Sequence, residues 1–124
     1  GAPGMPEAGL IPIPKKLAKV GVKDMVRISD GRMSGTASGT IVLHVCPEAA
    51  AGGNLNIVES GDVIKLDVNK RLIELKLTDE EIKIRHNNKK DKKIIKRRGY
   101  NKMFYDTVLQ ADKGVDFDFL RPVK

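Results

Sequence analysis

Tryptophan is missing from this 124-residue chain, aromatic residues make up 4% of it, and Cys46 is its single cysteine. One cysteine excludes an internal disulfide framework and fits a reducing compartment, and Cys46 is read as a small buried hydrophobe beside a strand end. There is no run of about 18 apolar residues to span a membrane. Nor does a charged, then apolar, then small-residue pattern open the chain as a secretory signal would, so it reads as soluble and cytoplasmic. A second domain does not fit this length, while about two-thirds of the unfolded surface can be buried, enough for a modest core. Gly1 in place of an initiating Met points to a piece of a longer protein.

Charge is present but unevenly placed. The formal net charge is +7; residues 1–60 carry 6 basic and 5 acidic side chains, residues 61–124 carry 17 and 11. The excess sits between Lys83 and Lys102, where ten Lys or Arg face Asp91 alone. Such a run raises the alternative of a small basic β-barrel that binds nucleic acid. It lacks interleaved aromatics, a nucleic-acid fold signature and a glycine-rich platform, so it is read as solvated helix and loop, His86 included.

Pro3, Pro6, Pro12 and Pro14 make the first fourteen residues an extended loop, since each fixes its own φ and pushes its predecessor away from helix. A short helix over Lys15–Val20 follows, with Pro14 in its first turn and Gly21 at its end. Met25–Ile28 reads as a strand that delivers a glycine-rich turn. Thr40–Val45 is β-branched and apolar, and periodicity does not separate strand from helix there. Pro47–Ala51 reads as one helical turn closed by Gly52 and Gly53. The alternation in Leu55–Val58 and Asp62–Val68, with Arg71–Leu75 returning after a turn, predicts three half-buried strands, the last two a hairpin. Thr78 and Glu81 form a capping box that starts a helix at about Asp79. Four or five short strands with one or two peripheral helices make an α+β, β-rich domain, a closed or nearly closed barrel.

The most informative stretch is Ser29–Thr40, in which Ser29-Asp30-Gly31-Arg32-Met33-Ser34-Gly35-Thr36 runs straight into Ala37-Ser38-Gly39-Thr40. Small and hydroxyl-bearing residues stand there where a core would want bulk, and glycine lets the backbone approach a ligand closely. Gly1–Glu7 lies upstream, His44-Val45-Cys46-Pro47-Glu48-Ala49 downstream, then Arg98-Gly99-Tyr100, Val108–Asp112 and Asp116–Leu120. In this order and spacing, the blocks resemble the carboxy-terminal part of the dihydroxy-acid and sugar-acid dehydratases over nearly all 124 residues. Those enzymes remove water from 2,3-dihydroxy carboxylates to give 2-keto acids. The tail blocks and Met33 agree with the sugar-acid (aldonate) branch; Gly31 agrees with the branched-chain dihydroxy-acid enzymes, which remain the alternative. The resemblance implies a small β-barrel of the swivelling β/β/α type over residues 1–124, docked on an amino-terminal domain that this chain does not contain, and assembly as a dimer or tetramer.

Such a dehydration needs a base for the C2 proton, a Lewis acid for the leaving 3-hydroxyl, and stabilisation of the enediolate-like charge. By resemblance, Ser34 is the base, acting as an alkoxide, and Thr36 positions substrate with Arg32. Backbone amides near Gly35 and Gly39 suit the charge on an alkoxide, and an Asp30–Arg32 ion pair would orient the loop. Glu7, in the Gly-Met-Pro-Glu block, corresponds to a ligand of Mg²⁺ (or Mn²⁺). A hard cation takes about six oxygen ligands, so one carboxylate from this chain and others from elsewhere is sensible. His44, alone at a strand end, is read as structural. The family's iron–sulfur cluster is held by three cysteines, which places it, with most metal carboxylates, in the amino-terminal domain. The isolated chain is therefore expected to be inactive.

Overall fold

Residues 4–89 and 98–122 are described by the computed structural model. Helix α1 (Lys15–Lys19) begins after Pro14 and ends at Val20, with Gly21 left-handed at φ +89°, the proline-in, glycine-out pattern. Two short strands, β1 (Arg27–Ile28) and β2 (Ile41–Val42), pair in parallel, Arg27 opposite Ile41 and Ile28 opposite Val42. Parallel partners cannot be joined by a tight turn, so the chain between them must cross over. That crossover is the Ser29–Thr40 stretch.

The second sheet is the antiparallel hairpin β3 (Ile64–Asp67) and β4 (Leu72–Leu75), in register from Ile64 opposite Leu75 to Asp67 opposite Leu72. Thr78 and Glu81 close the capping box at the start of α2 (Asp79–Asn88), and α3 (Gly99–Thr107) follows the residues that are not described. The stretch Leu55–Val58 is not a strand. Asn54–Asn56 forms a 3₁₀ turn that drives Ile57 to zero exposure, because an alternating pattern four residues long fits one tight turn with a buried exit as well as it fits a strand. Pro47–Ala51 is a 3₁₀ turn over Ala49–Ala51 capped by left-handed Gly52.

The modest core is smaller than expected: Ile57 is the one fully buried apolar side chain among the described residues. Sheets of two strands cannot cover both of their own faces, and Val63, Val68, Ile73, Tyr100, Phe119 and Leu120 stay exposed. Polar ties also link the elements. In α2, Arg85 is half-buried: its guanidinium grips both oxygens of Asp62 at 2.5 and 3.0 Å and reaches the carbonyl of Ile57 at 3.1 Å. His86 touches Asn54 Oδ1 at 3.1 Å. Neither behaves as the solvated side chain expected of the basic run, of which residues 90–97 lie outside the described residues. The Arg85 guanidinium, joined by the Glu59 N–H, holds the Asp62 carboxyl below its ordinary value of 3.8, and the Asp62 carboxylate in turn raises the Arg85 pKa. A depressed carboxyl adds stability that is full above its ordinary value and is lost as pH falls toward the folded one. The Tm of the parent protein should therefore drop on acidification below about pH 4, and Asp62→Asn should lower Tm at neutral pH while flattening that acid slope; an unchanged slope removes the pair from the stability of this domain.

Candidate functional site

The Ser29–Ser34 segment is held on both sides by backbone. On one side Ser29 N–H donates to Val42 O at 3.0 Å, Val45 N–H to Ser29 O and His44 N–H to Gly31 O, each at 3.2 Å. On the other, the proline-rich loop runs alongside in parallel: Arg32 N–H donates to Pro6 O at 2.8 Å, Ala8 N–H to Arg32 O at 2.7 Å, and Ser34 N–H to Gly9 O at 3.2 Å. A Cβ at Gly31 would stand 2.6 Å from the Pro6 carbonyl oxygen, so this is a backbone-to-backbone approach that glycine permits. Alternation then decides what faces out. Gly31 is buried and Met33 half-buried, while Arg32 and Ser34 are exposed on the other side of the ribbon.

Expected site residues lie along this ribbon as two pairs. Glu7 and Arg32 lie opposite each other, Glu7 Oε2 to Arg32 Nε at 3.0 Å, and Glu7 Oε1 accepts from Gly9 N–H at 3.2 Å. Beyond them, Ser34 Oγ is 3.0 Å from Thr36 Oγ1 and receives the Thr36 N–H at 3.4 Å. One turn therefore points a hydroxyl and an amide at the Ser34 oxygen, an arrangement that can stabilise charge on it. Glu7 and Arg32 are about half exposed, at 49% and 57% of their side-chain surface, as groups that meet a ligand need to be.

Other expectations change. Asp30 does not pair with Arg32: its Oδ2 accepts the Ala49 N–H at 2.6 Å, because residues 30 and 32 share spacing but not a partner once the ribbon is paired on both edges. Gly39, at φ +99°, packs against Asp24, which also takes the amide and hydroxyl of Thr40 and is held below its ordinary pKa chiefly by that hydroxyl. Space around Gly35 is open. His44 is exposed and offers its backbone N–H to the ribbon. Cys46 is half-buried and lines an apolar hollow of about 310 Å³ with Ile28, Val45, Leu55, Ile64 and Leu75; none of Glu7, Arg32, Ser34 and Thr36 lines it.

Two residues that matter to this face carry no signal in spacing. Glu48 is 1% exposed, its Oε1 accepts the Met5 N–H, and its own N–H donates to Gln110 Oε1 at 2.8 Å. Partners 43 and 62 residues away are not readable from a Pro-Glu-Ala turn. As to a metal, no group of three His, Cys, Asp or Glu is gathered for one among the described residues. Glu7 offers one exposed carboxylate, which fits a cation that takes its other oxygens from elsewhere.

The model of a family described as dihydroxy-acid/6-phosphogluconate dehydratase, C-terminal, matches residues 1–115. The chain is 47% identical over 121 residues to a 6-deoxy-6-sulfo-D-gluconate dehydratase of Pseudomonas putida, covering 98% of this chain and 21% of that protein. It is 50% identical over 126 residues to an L-arabonate dehydratase of Azospirillum brasilense, covering 97% of this chain and 22% of that protein. A dihydroxy-acid dehydratase of Clostridium botulinum (strain Alaska E43 / Type E3) is 40% identical over 115 residues, 92% of this chain and 20% of that protein. The chain thus spans about a fifth of the length of these curated relatives.

Proposed function

The chain belongs to the dihydroxy-acid/6-phosphogluconate dehydratase family as its C-terminal region, and on that premise we propose that it is the carboxy-terminal half-site of a hydro-lyase that turns 2,3-dihydroxy sugar acids (aldonates) into 2-keto-3-deoxy acids. The observation that carries the reading is the pairing of Ser34 and Thr36 hydroxyls at 3.0 Å on the exposed ribbon that also presents Glu7 and Arg32. Ser34 Oγ takes the C2 proton, and the Thr36 hydroxyl and amide steady the oxygen before it does so. The Arg32 guanidinium faces the substrate's carboxylate, for which its planar donors are suited. The 3-hydroxyl departs as water with the proton that Ser34 took from C2, and the enol left behind tautomerises to the 2-keto acid. A bound Mg²⁺ or Mn²⁺ would take Glu7 as one oxygen ligand and supply positive charge for the substrate oxygens.

A cluster needing three thiolates does not fit a chain whose one cysteine lines an apolar hollow. The iron–sulfur cluster and the remaining metal ligands are therefore assigned to the amino-terminal domain of the parent, the partner on which this half-site depends. In the same reading the two small sheets are pieces of the swivelling barrel, and the parent is a cytoplasmic dimer or tetramer; family likeness supports these. The higher identity to the sugar-acid relatives than to the dihydroxy-acid relative favours aldonates over branched-chain acids. Keto-acid release from arabonate-, xylonate- or gluconate-type acids against 2,3-dihydroxy-isovalerate, with purified full-length parent, separates the two; turnover confined to the branched acid overturns the substrate class.

Glu7→Gln exchanges an anionic oxygen for a neutral amide of the same shape. In the parent it should raise the Mg²⁺ concentration for half-maximal activity at least about tenfold, with rescue at high Mg²⁺ or Mn²⁺. An identical metal titration removes Glu7 from the site.

A further inference from the structure

We propose that Glu48 is a positioning residue for the Glu7 carboxylate: from inside the domain it latches the left-handed Met5 and so sets the register of the Met5–Gly9 segment against the Ser34 ribbon. The inference rests on the reading of Glu7 as a metal ligand. Met5 is not glycine, yet it holds φ +54°, a conformation that persists in L-residues only where the surroundings impose it. What imposes it here is a buried side-chain acceptor. Met5 N–H donates to Glu48 Oε1, and Glu48 is 1% exposed, so the bond lies out of competition with water.

Glu48 is itself fixed from three sides. Its N–H is held by Gln110 Oε1 at 2.8 Å; its carbonyl accepts Ala51 N–H at 2.8 Å and Gly53 N–H at 2.9 Å; and the next amide, Ala49, is held by Asp30 at 2.6 Å. Beside the latch, Gly4 is buried at φ +66°, where a Cβ would stand 2.6 Å from Val108 Cγ2. Two residues beyond Met5, Glu7 enters its bridge with Arg32, so any slip at Met5 is transmitted to the carboxylate. The second carboxylate oxygen, Oε2, is buried with no hydrogen-bond partner among the described residues. A buried carboxyl group that accepts the Met5 N–H has a role that an apolar residue of the same volume does not fill.

The test uses the full-length holoenzyme, its Mg²⁺ titration of activity and its Tm. Glu48→Met fills the space but offers no acceptor, and should raise half-saturating Mg²⁺ about tenfold, the scale of residues that orient a metal ligand. Glu48→Gln keeps an acceptor for Met5 and should stay within about twofold of the parent. In the Glu7→Gln background Glu48→Met should add less than about twofold, because its effect travels through Glu7. A lowered Tm with an unmoved Mg²⁺ titration in Glu48→Met overturns the proposal, as do additive effects in the double variant. Should Glu48→Met give no soluble holoenzyme, Gln110→Leu decides: a shift of about threefold supports the latch, and none overturns it. If Glu7→Gln itself leaves the titration unmoved, the ligand reading fails and takes the latch with it; if Glu7→Gln shifts it and Glu48→Met does not, only the latch fails.

Discussion

Ser34→Ala in the full-length parent is expected to cut keto-acid release from an aldonate by about 10² to 10⁴, the usual contribution of a positioned base. The loss should fall on kcat more than on KM. Ser34 is exposed, its side chain packs against no core, and its backbone N–H to Gly9 O survives the change, so the ribbon that carries Glu7 and Arg32 keeps its register. What disappears is one oxygen, the partner of the Thr36 hydroxyl and the acceptor of the Thr36 N–H. Thr36→Ala, which leaves the base but removes one donor to it, should cost less, and Thr36→Ser should recover most of that cost. Near-parental turnover of Ser34→Ala on its substrate removes Ser34 as base, whatever the fate of Thr36.

Gly53→Ala should be the most damaging single methyl group in the domain. Gly53 has an ordinary φ of −66°, so the cost is not conformational. It is steric: an added Cβ would stand 1.8 Å from the Pro47 carbonyl oxygen and 3.0 Å from that of Glu48. Both obstacles are backbone, and no side chain can swing aside to make room. The turn that carries Glu48 must open, which breaks the Gly53 N–H bond to Glu48 O and releases the latch on Met5. A loss of about 3 kcal/mol, the upper end for overpacking, is expected, seen as a lower Tm and poor soluble yield of the parent. Gly35→Ala is the contrast. Nothing lies within 4 Å of its Cβ position, and its effect on Tm should stay within that of about 0.5 kcal/mol. Equal effects from the two alanines would mean that the contact at Pro47 is not made in the folded protein.

Local chemistry was legible and long-range partnership was not. The Thr78–Glu81 capping box, the helix after Pro14 and the β3–β4 hairpin all follow from residues near one another in the chain, where spacing alone sets who meets whom. That Glu7 meets Arg32 was not legible in spacing, since nothing in residues 7 and 32 says that their backbones pair. Asp30 shows the limit from the other side. Its spacing to Arg32 suggested an ion pair, but a parallel ribbon bonded on both edges turned it toward Ala49 and gave Arg32 to Glu7. Arg85 likewise sits in a basic run that composition marks as solvated, and it is half-buried because Asp62, 23 residues earlier, comes within 2.5 Å. Ile57 lay in an alternating stretch read as strand and became the center of the small core by way of a 3₁₀ turn.

The central claim is that the Glu7 carboxylate and the Ser34 hydroxyl serve one bound substrate. The most direct measurement is a crystal structure of the full-length parent soaked with Mn²⁺ in place of Mg²⁺ and with an aldonate bound to the Ser34→Ala variant, the cation located by its anomalous signal. The expected result is a single strong peak about 2.1 Å from a Glu7 carboxylate oxygen, with substrate oxygens completing its shell and the substrate's C2 about 3 to 3.5 Å from where the Ser34 oxygen would stand. A cation peak remote from Glu7, or a substrate seated away from the Ser34–Thr36 turn, would overturn the half-site.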